Sequence, residues 1–188
     1  MNIFLATNNE HKRIEIESIF LSISSDFKLF YDDKFVDVEE TEDTLEGNAS
    51  LKAIRGYEHM GMPALADDTG LFVKSLNDNP GVKSKRYYSE NSTDLENIDF
   101  LLANLKGSPD RSAYFKTVVC FFDGKDSIYE EGVLDGEIAS SSLGNNGFGY
   151  DSVFLYDQRT LAQLNTDEKN DISHRKIALT KIAKNLVT

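Results

Sequence analysis

The sequence predicts a mixed α/β domain built on one twisted sheet. Three observations carry this. Apolar runs of strand length alternate with stretches of helical period. Two long β-prone runs, 112–122 and 126–134, flank Asp123-Gly124 as a hairpin. The 188 residues, 40% apolar and 28% charged, suit a single domain spanning 1–188 with a real core, and leave no room for two ordinary ones.

The elements follow in order. Residues 2–6 read as a buried strand that Asn8-Asn9 breaks. A helix comes next, with Ile14, Ile16, Ile19, Phe20 and Ile23 inward and Lys12, Arg13, Glu15 and Glu17 outward. Residues 28–38 read as a second short strand, and Glu39-Glu40-Thr41-Glu42-Asp43 as an acidic loop. A helix over 46–60 carries Leu51, Ala53, Ile54 and Tyr57, and Gly61-Met62-Pro63 ends it. Strands near 64–67 and 71–75 are joined by a turn holding Asp67, Asp68 and Gly70, and Asn77-Asp78-Asn79-Pro80-Gly81 is dense turn chemistry. Thr93 and Glu96 form a capping box that starts a helix with Leu95, Ile98, Leu101, Leu102 and Leu105 on one face. Beyond the hairpin lie a glycine-rich loop from Gly144 to Asp151, a short strand at Val153-Phe154-Leu155, and a helix from Ser173 carrying Ile177, Ala178, Ile182, Ala183 and Leu186.

Charge narrows the partners. The chain has 32 acidic against 20 basic residues, a formal net charge of −12. That argues against nucleic-acid or anionic-membrane binding driven by overall charge. It leaves room for an anionic small molecule bound through a metal ion or a local cluster of cations. Cys120 is the lone cysteine, so no intramolecular disulfide forms, and its apolar strand setting suits burial better than nucleophilic work. Met1 to Glu10 has no signal-peptide pattern and no run is long enough to span a bilayer, which gives the expectation of a cytoplasmic protein.

Four segments carry chemistry. Thr7-Asn8-Asn9-Glu10-His11-Lys12 opens a helix whose unpaired N–H groups and nearby lysine can receive a phosphate; it also reads as an ordinary Asn-rich cap. Glu39-Glu40 and Asp67-Asp68 supply paired carboxylates, since Mg²⁺ takes one or two carboxylates plus phosphate oxygens and waters. A carboxylate not spent on the metal can orient and deprotonate a water. The alternative for both pairs is a solvated acidic face or turn. In Gly147-Phe148-Gly149-Tyr150-Asp151, glycines admit close backbone approach, aromatics can cover a flat base, and Asp151 can accept from ring or ribose donors; a structural aromatic turn would use similar residues. Lys169 with Ser173-His174-Arg175-Lys176 places cations at a helix start, against the helix dipole, which suggests an anionic or acceptor partner or a basic surface start.

Taken together, these segments resemble the inosine triphosphate pyrophosphatase family, also called XTP/dITP diphosphatases. The matching residues are Ala6-Thr7-Asn8-Asn9 with Lys12 and Glu15, Asn48-Ala49 with Lys52-Ala53, and Ala66-Asp67-Asp68-Thr69-Gly70-Leu71. Further along they are Pro80-Gly81-Val82 with Ser84 and Arg86-Tyr87, Gly147 to Asp151, and Ser173-His174-Arg175 with Ala178-Leu179. The resemblance implies an elongated α/β fold with a central mixed sheet, a substrate cleft between two lobes, and a homodimer. It implies Mg²⁺-dependent hydrolysis of ITP, dITP or XTP to the monophosphate and pyrophosphate. By the same resemblance Asp68 is the general base, and Glu40 with Asp68 bind the metal, with Asp67 and Glu39 as further acids. Thr7, Asn8, Asn9, Glu10, His11, Lys12 and Thr69 would take the phosphate end. Phe148, Gly149, Tyr150 and Asp151, with Lys169, His174 and Arg175, would hold base and sugar. His174 or Arg175 could read an oxo group at purine C6, and an adenine amino group there would leave that donor unpaired.

The chain departs from the family pattern at Gly47, where a Glu is usual and Glu46 lies one residue earlier, and at Thr69, Lys85, Asn145-Asn146 and Ser152. These departures keep two rival readings open. One is a pyrophosphatase for another nucleotide, the other a catalytically silent nucleotide-binding protein. A Nudix enzyme is disfavoured, since no helix carries its clustered Arg-Glu and Glu-Glu pattern.

Overall fold

The computed structural model describes residues 1–23, 26–36 and 38–187. The elements are, in chain order, β1 (Asn2–Leu5), α1 (Glu10–Ile23), β2 (Lys28–Phe30), α2 (Leu45–Met60), β3 (Ala64–Val73), β4 (Asn79–Gly81) and α3 (Asp94–Asn104). There follow β5 (Ser112–Phe122), β6 (Ser127–Ile138), β7 (Phe154–Tyr156), β8 (Arg159–Thr160), α4 (Thr166–Ile172) and α5 (His174–Val187). Among the described residues the eight strands make one sheet in the order β2-β1-β3-β5-β6-β7-β8, with β4 paired to β3 off that path. The sheet is mixed, as expected. β1 pairs parallel with β2 and β3, whereas β3–β4, β6–β7 and β7–β8 are antiparallel.

The chain divides into two compact units. The first comprises Met1–Asp68, Thr117–Gly132 and His174–Thr188. Its strands are apolar on both faces, because both are covered by helices. One face carries Ile3, Leu5, Leu65, Val119 and Phe121 against Ile16, Ile19 and Phe20 of α1 and Leu179 and Ile182 of α5. The other carries Phe4, Ala64, Ala66 and Cys120 against Ala49 and Ala53 of α2. The second unit, Thr69–Lys116 and Val133–Ser173, has its own core of Leu71, Ile98, Leu101, Phe115, Leu134, Tyr150, Phe154 and Leu161.

Several expectations hold at residue level. Gly61 ends α2 as expected, its N–H closing the helix on Tyr57 O at 2.7 Å. Thr93 and Glu96 form the reciprocal capping box of α3. Cys120 is buried in its strand, and burial pushes its thiol up to about 11.

Others are corrected. β3 runs unbroken through Asp67 and Asp68, so no turn separates two strands there. Beyond the aspartates, Gly70 lets the strand run on against β4. A Cβ there would lie 2.5 Å from Gly81 O, so only glycine lets β4 pair this closely. The strand expected over 28–38 ends at Phe30, where Asp32 accepts from Lys34 N–H and bends the chain; residue 37 of that stretch lies outside the described residues. Ile14 is 52% exposed while Glu15 is buried at 8%, the reverse of the expected facing. The inward stripe of α1 is 16, 19, 20, with Glu15 beside it, and Ile14 falls off it. Leu95 likewise faces solvent at 64%, two positions ahead of the buried Asn97-Ile98 face. The short helix α4 was not foreseen, although Asn165 and Glu168 spell its capping box.

Candidate active site

The first unit holds a buried network of opposite charges at the end of its central strand. Successive strand side chains point to opposite faces, so Asp67 and Asp68 part company at once. Asp67 shares the face of Leu65 and meets α1 and α5. Its Oδ2 lies 3.1 Å from Lys12 Nζ and accepts from Nε and Nη2 of Arg175, each at 3.3 Å. Arg175 also donates through Nη1 to Glu15, and it is the largest fully buried side chain among the described residues. Asp68 shares the face of Ala66 and meets α2. Its Oδ1 accepts from Lys52 Nζ at 3.1 Å and its Oδ2 from Asn48 Nδ2 at 3.3 Å. Lys52 Nζ also donates to Glu40 Oε1 at 3.0 Å, and Asn48 Oδ1 accepts from Glu42 N–H at 3.0 Å, fixing the acidic loop.

These surroundings drive the two aspartates apart. Burial alone would raise Asp67, but Lys12, Arg175 and Lys52 hold its carboxyl far below the usual carboxylate range. Burial raises Asp68, helped by the neighbouring Glu40 charge and only partly offset by Lys52 and Lys12. Lys52 is raised, since Asp68, Glu40 and Asp67 outweigh its burial. Lys12 is lowered by burial and by Lys52 and Arg175, despite Asp67. Adjacent carboxylates whose environments push them apart are the pattern by which one site assigns a fixed anion and a proton acceptor.

The loop Thr7–Lys12 lies in the same unit. Asn9 Oδ1 caps α1 by accepting from Lys12 N–H at 3.1 Å, and Thr7 Oγ1 accepts from Asn9 N–H at 3.2 Å. Thr7, Asn8, Asn9 and Glu10 line a cavity of about 330 Å³ with Arg13, Tyr31, Asp32 and Asp33. Arg13 sits over the Tyr31 ring at 4.2 Å. Lys12 turns from this cavity's lining toward Asp67, and His11 is exposed at the surface.

Two carboxylates of this network are of the kind a divalent ion takes. Among the described residues no three His, Cys, Asp or Glu side chains form a ready metal cage. Glu40 and Asp68 nevertheless converge on one ammonium, so two carboxylates already face a shared cationic position. That number suits Mg²⁺, which draws its remaining ligands from water and substrate phosphates. Asp67 faces the other way, engaged by Lys12 and Arg175, and Glu39 is exposed.

In the second unit the 147–151 loop is tightly tied. Lys169 Nζ donates to Asp151 Oδ2 at 2.7 Å and lies 4.9 Å from the Phe148 ring centroid. The same Oδ2 accepts from Phe148 N–H at 2.9 Å. Gly147 has φ +77°, and a Cβ there would collide with the Asp151 carboxylate. Tyr150 is buried in the core and donates from its hydroxyl to Ser84 O at 2.8 Å. Burial, with the Tyr87 and Asp94 charges, raises this phenol, so it stays a donor. The ring of Tyr150 and the Oδ2 of Asp151 thus brace the loop, whereas Phe148 and Gly149 are half-buried.

Residue by residue, the first unit holds Thr7, Asn8, Asn9, Glu10, His11, Lys12, Glu40, Asp68, His174 and Arg175, and the second holds Thr69, Phe148, Gly149, Tyr150, Asp151 and Lys169. Arg175 departs most from its expected role. Its three guanidinium nitrogens are engaged by carboxylates, which makes it a strut for Asp67 rather than a base reader. His174 is buried at the head of α5. Sequence reading gave no role to Glu15, Asn48, Lys52 or Ser84. Asn48 and Lys52 carried a signal, since they stand four apart on the same α2 face as Ala49 and Ala53, where only a partnered polar group belongs.

Fold and site define an α/β protein whose central strand carries adjacent carboxylates on opposite faces, Asp67 held by Lys12 and Arg175 and Asp68 by Lys52 and Asn48. The chain belongs to the Ham1 family, which it matches over residues 3–185. It is 44% identical to the dITP/XTP pyrophosphatase of Thermoanaerobacter sp. (strain X514), covering 97% of this chain and 94% of that protein. It is 45% identical to that of Elusimicrobium minutum (strain Pei191), over 99% and 100%. A solved HAM1 protein from Coxiella burnetii superposes with a TM-score of 0.89 at 39% identity, covering 100% of this chain and 98% of that one.

Proposed function

We propose that this chain, acting as one domain over 1–188, hydrolyses the deaminated purine nucleoside triphosphates ITP, dITP and XTP to the monophosphate and pyrophosphate. The observation that carries the reading is the split between Asp67 and Asp68, held in opposite directions on opposite faces of one strand. The full-length relatives named dITP/XTP pyrophosphatase support it.

In this reading Asp68 takes the proton of the attacking water. A carboxylate has about four lone-pair sites, so Asp68 can keep Lys52 and Asn48 and still accept from water. Its raised affinity for protons improves it as a base. Glu40 and Asp68 would hold Mg²⁺, which supplies charge neutralisation at the phosphate oxygens when bound. The backbone of Thr7 to Glu10 and the Lys12 ammonium would steady the phosphates, and Thr69 contributes its hydroxyl. Lys52 and Lys12 keep excess negative charge from accumulating as pyrophosphate leaves. Phe148 and Gly149 would meet the base, on a loop braced by Tyr150, Asp151 and Lys169. His174 is then the donor proposed for the purine O6, because Arg175 is taken up by Glu15 and Asp67. Among the described residues no helix is long and apolar enough to cross a membrane. A cytoplasmic homodimer completes the proposal, its assembly testable by light scattering.

The deciding experiment is a pyrophosphate-release assay over ITP, dITP, XTP and ATP, with and without Mg²⁺. Release from the oxo-purines well ahead of ATP, abolished by chelation, is expected. Equal rates on ATP would remove the specificity, and binding of ITP without release would leave a nucleotide-binding protein instead.

A further inference from the structure

Asp94 opens α3 but does not behave as a helix-capping acid. Thr93 and Glu96 already satisfy that end reciprocally, with Glu96 Oε2 accepting from Thr93 N–H at 2.8 Å. The Asp94 carboxylate instead reaches 55 residues along the chain, and its Oδ2 accepts from Gly149 N–H at 2.7 Å. Both partners lie in the second unit. A short hydrogen bond from a backbone amide to an ionised carboxylate is of the stronger, charge-assisted kind.

Gly149 stands between Phe148 and Tyr150, so this bond grips the loop at its middle. The neighbouring grips are elsewhere: Tyr150 donates to Ser84 O, and Asp151 holds Phe148 N–H and Lys169. Helix α3 supports the Ser84 side as well. Buried Asn97 donates to Lys85 O at 2.9 Å and accepts from Tyr88 N–H at 2.9 Å. One helical turn thus fastens both the 84–88 segment and the 147–151 loop.

We propose that Asp94 is a positioning residue for the nucleotide's base: by binding Gly149 N–H it sets the 147–151 loop in the conformation that receives the purine. The proposal rests on the pyrophosphatase reading above and deepens it. Asp94 is not among the residues assigned to the phosphates or to the attacking water, so its loss should weaken substrate capture and spare the chemical step. Without the bond, the loop must be ordered by the substrate itself, and that cost appears in KM.

The test compares Asp94→Ala, Asp94→Asn and Glu96→Ala, the last removing a capping-box partner of the same helix turn. In Asp94→Ala, KM for XTP should rise about tenfold with kcat within about twofold, the size of one charge-assisted bond used for binding alone. Asp94→Asn, whose amide oxygen still accepts, should recover most of that loss. Glu96→Ala should lower thermal stability without moving KM. In NMR spectra, the Gly149 amide should be exchange-protected in the wild type and lose protection in Asp94→Ala. An unchanged KM in Asp94→Ala, or an equal rise in Glu96→Ala, would overturn the proposal. Wild-type protein that turns over no oxo-purine would overturn the pyrophosphatase reading instead, because the Gly149 amide reports the Asp94 contact without substrate.

Discussion

Asp67 and Asp68 are chemically identical neighbours, and the alternation of one strand gives them different neighbours and different work. Asp67 meets Lys12 and Arg175, whereas Asp68 meets Lys52, Asn48 and, through Lys52, Glu40. Asp68→Asn keeps the shape and the Asn48 contact while removing the proton acceptor. Its kcat should fall by about 10²–10⁴, the usual worth of a positioned base, with the circular dichroism spectrum unchanged. Near-normal pyrophosphate release in that variant would remove Asp68 from the base role. Cys120, given no part in the chemistry, provides a residue-scale control. Its thiol is buried and pushed up to about 11, so the reactive thiolate is scarce near neutrality. Iodoacetamide at pH 8 should label it only once denaturant opens the fold, and rapid labelling of native protein would contradict that burial.

At the scale of elements, β3 shows what sequence could and could not reveal. Local signals were sufficient where the partners are local: the Thr93–Glu96 box, the 112–134 hairpin and the α2 helix all lie where pattern placed them. Asp67-Asp68-Thr69-Gly70 misled, because turn residues were read without the cations that neutralise them. Those cations arrive from α1, α2 and α5, and Arg175 lies 108 residues beyond Asp67. Glu15 was turned outward for the same reason, since its partner Arg175 is 160 residues away. The candidate acids and the two loops were legible as motifs, but the pairing of Asp67 with Arg175 and Asp68 with Lys52 was not. The continuity of β3 also yields a prediction. Gly70→Ala would push a methyl into Gly81 O, a backbone atom with little freedom to move. It should destabilise the protein by about 1–3 kcal/mol, as overpacked sites do, read as a lower urea midpoint. An unchanged midpoint would mean that β4 can retreat from β3 at no cost.

For the whole molecule, the buried charges link stability to pH, and the sign follows from Asp67. Its folded carboxyl is held below the unfolded value, so the unfolded chain binds the proton more readily. Its stabilising contribution is therefore complete above the unfolded value and is lost as pH falls toward the folded one. Asp68 is raised and has the opposite sign: the folded state holds its proton more tightly, so its ionisation with rising pH works against the fold. Asp67→Asn isolates the first effect. At pH 7 it strips half-buried Lys12 and buried Arg175 of their shared counter-charge, a loss of about 3–5 kcal/mol by analogy with broken buried pairs. Below pH about 4, where an ordinary carboxyl begins to bind protons, wild type starts to forfeit the same contribution while the variant has none to lose. Urea titrations of both proteins at pH 7 and pH 3 should show the stability gap narrowing by about 1 kcal/mol at the lower pH. A gap that stays constant would mean that Asp67 titrates alike folded and unfolded, and that Lys12 and Arg175 are not its charge partners in solution.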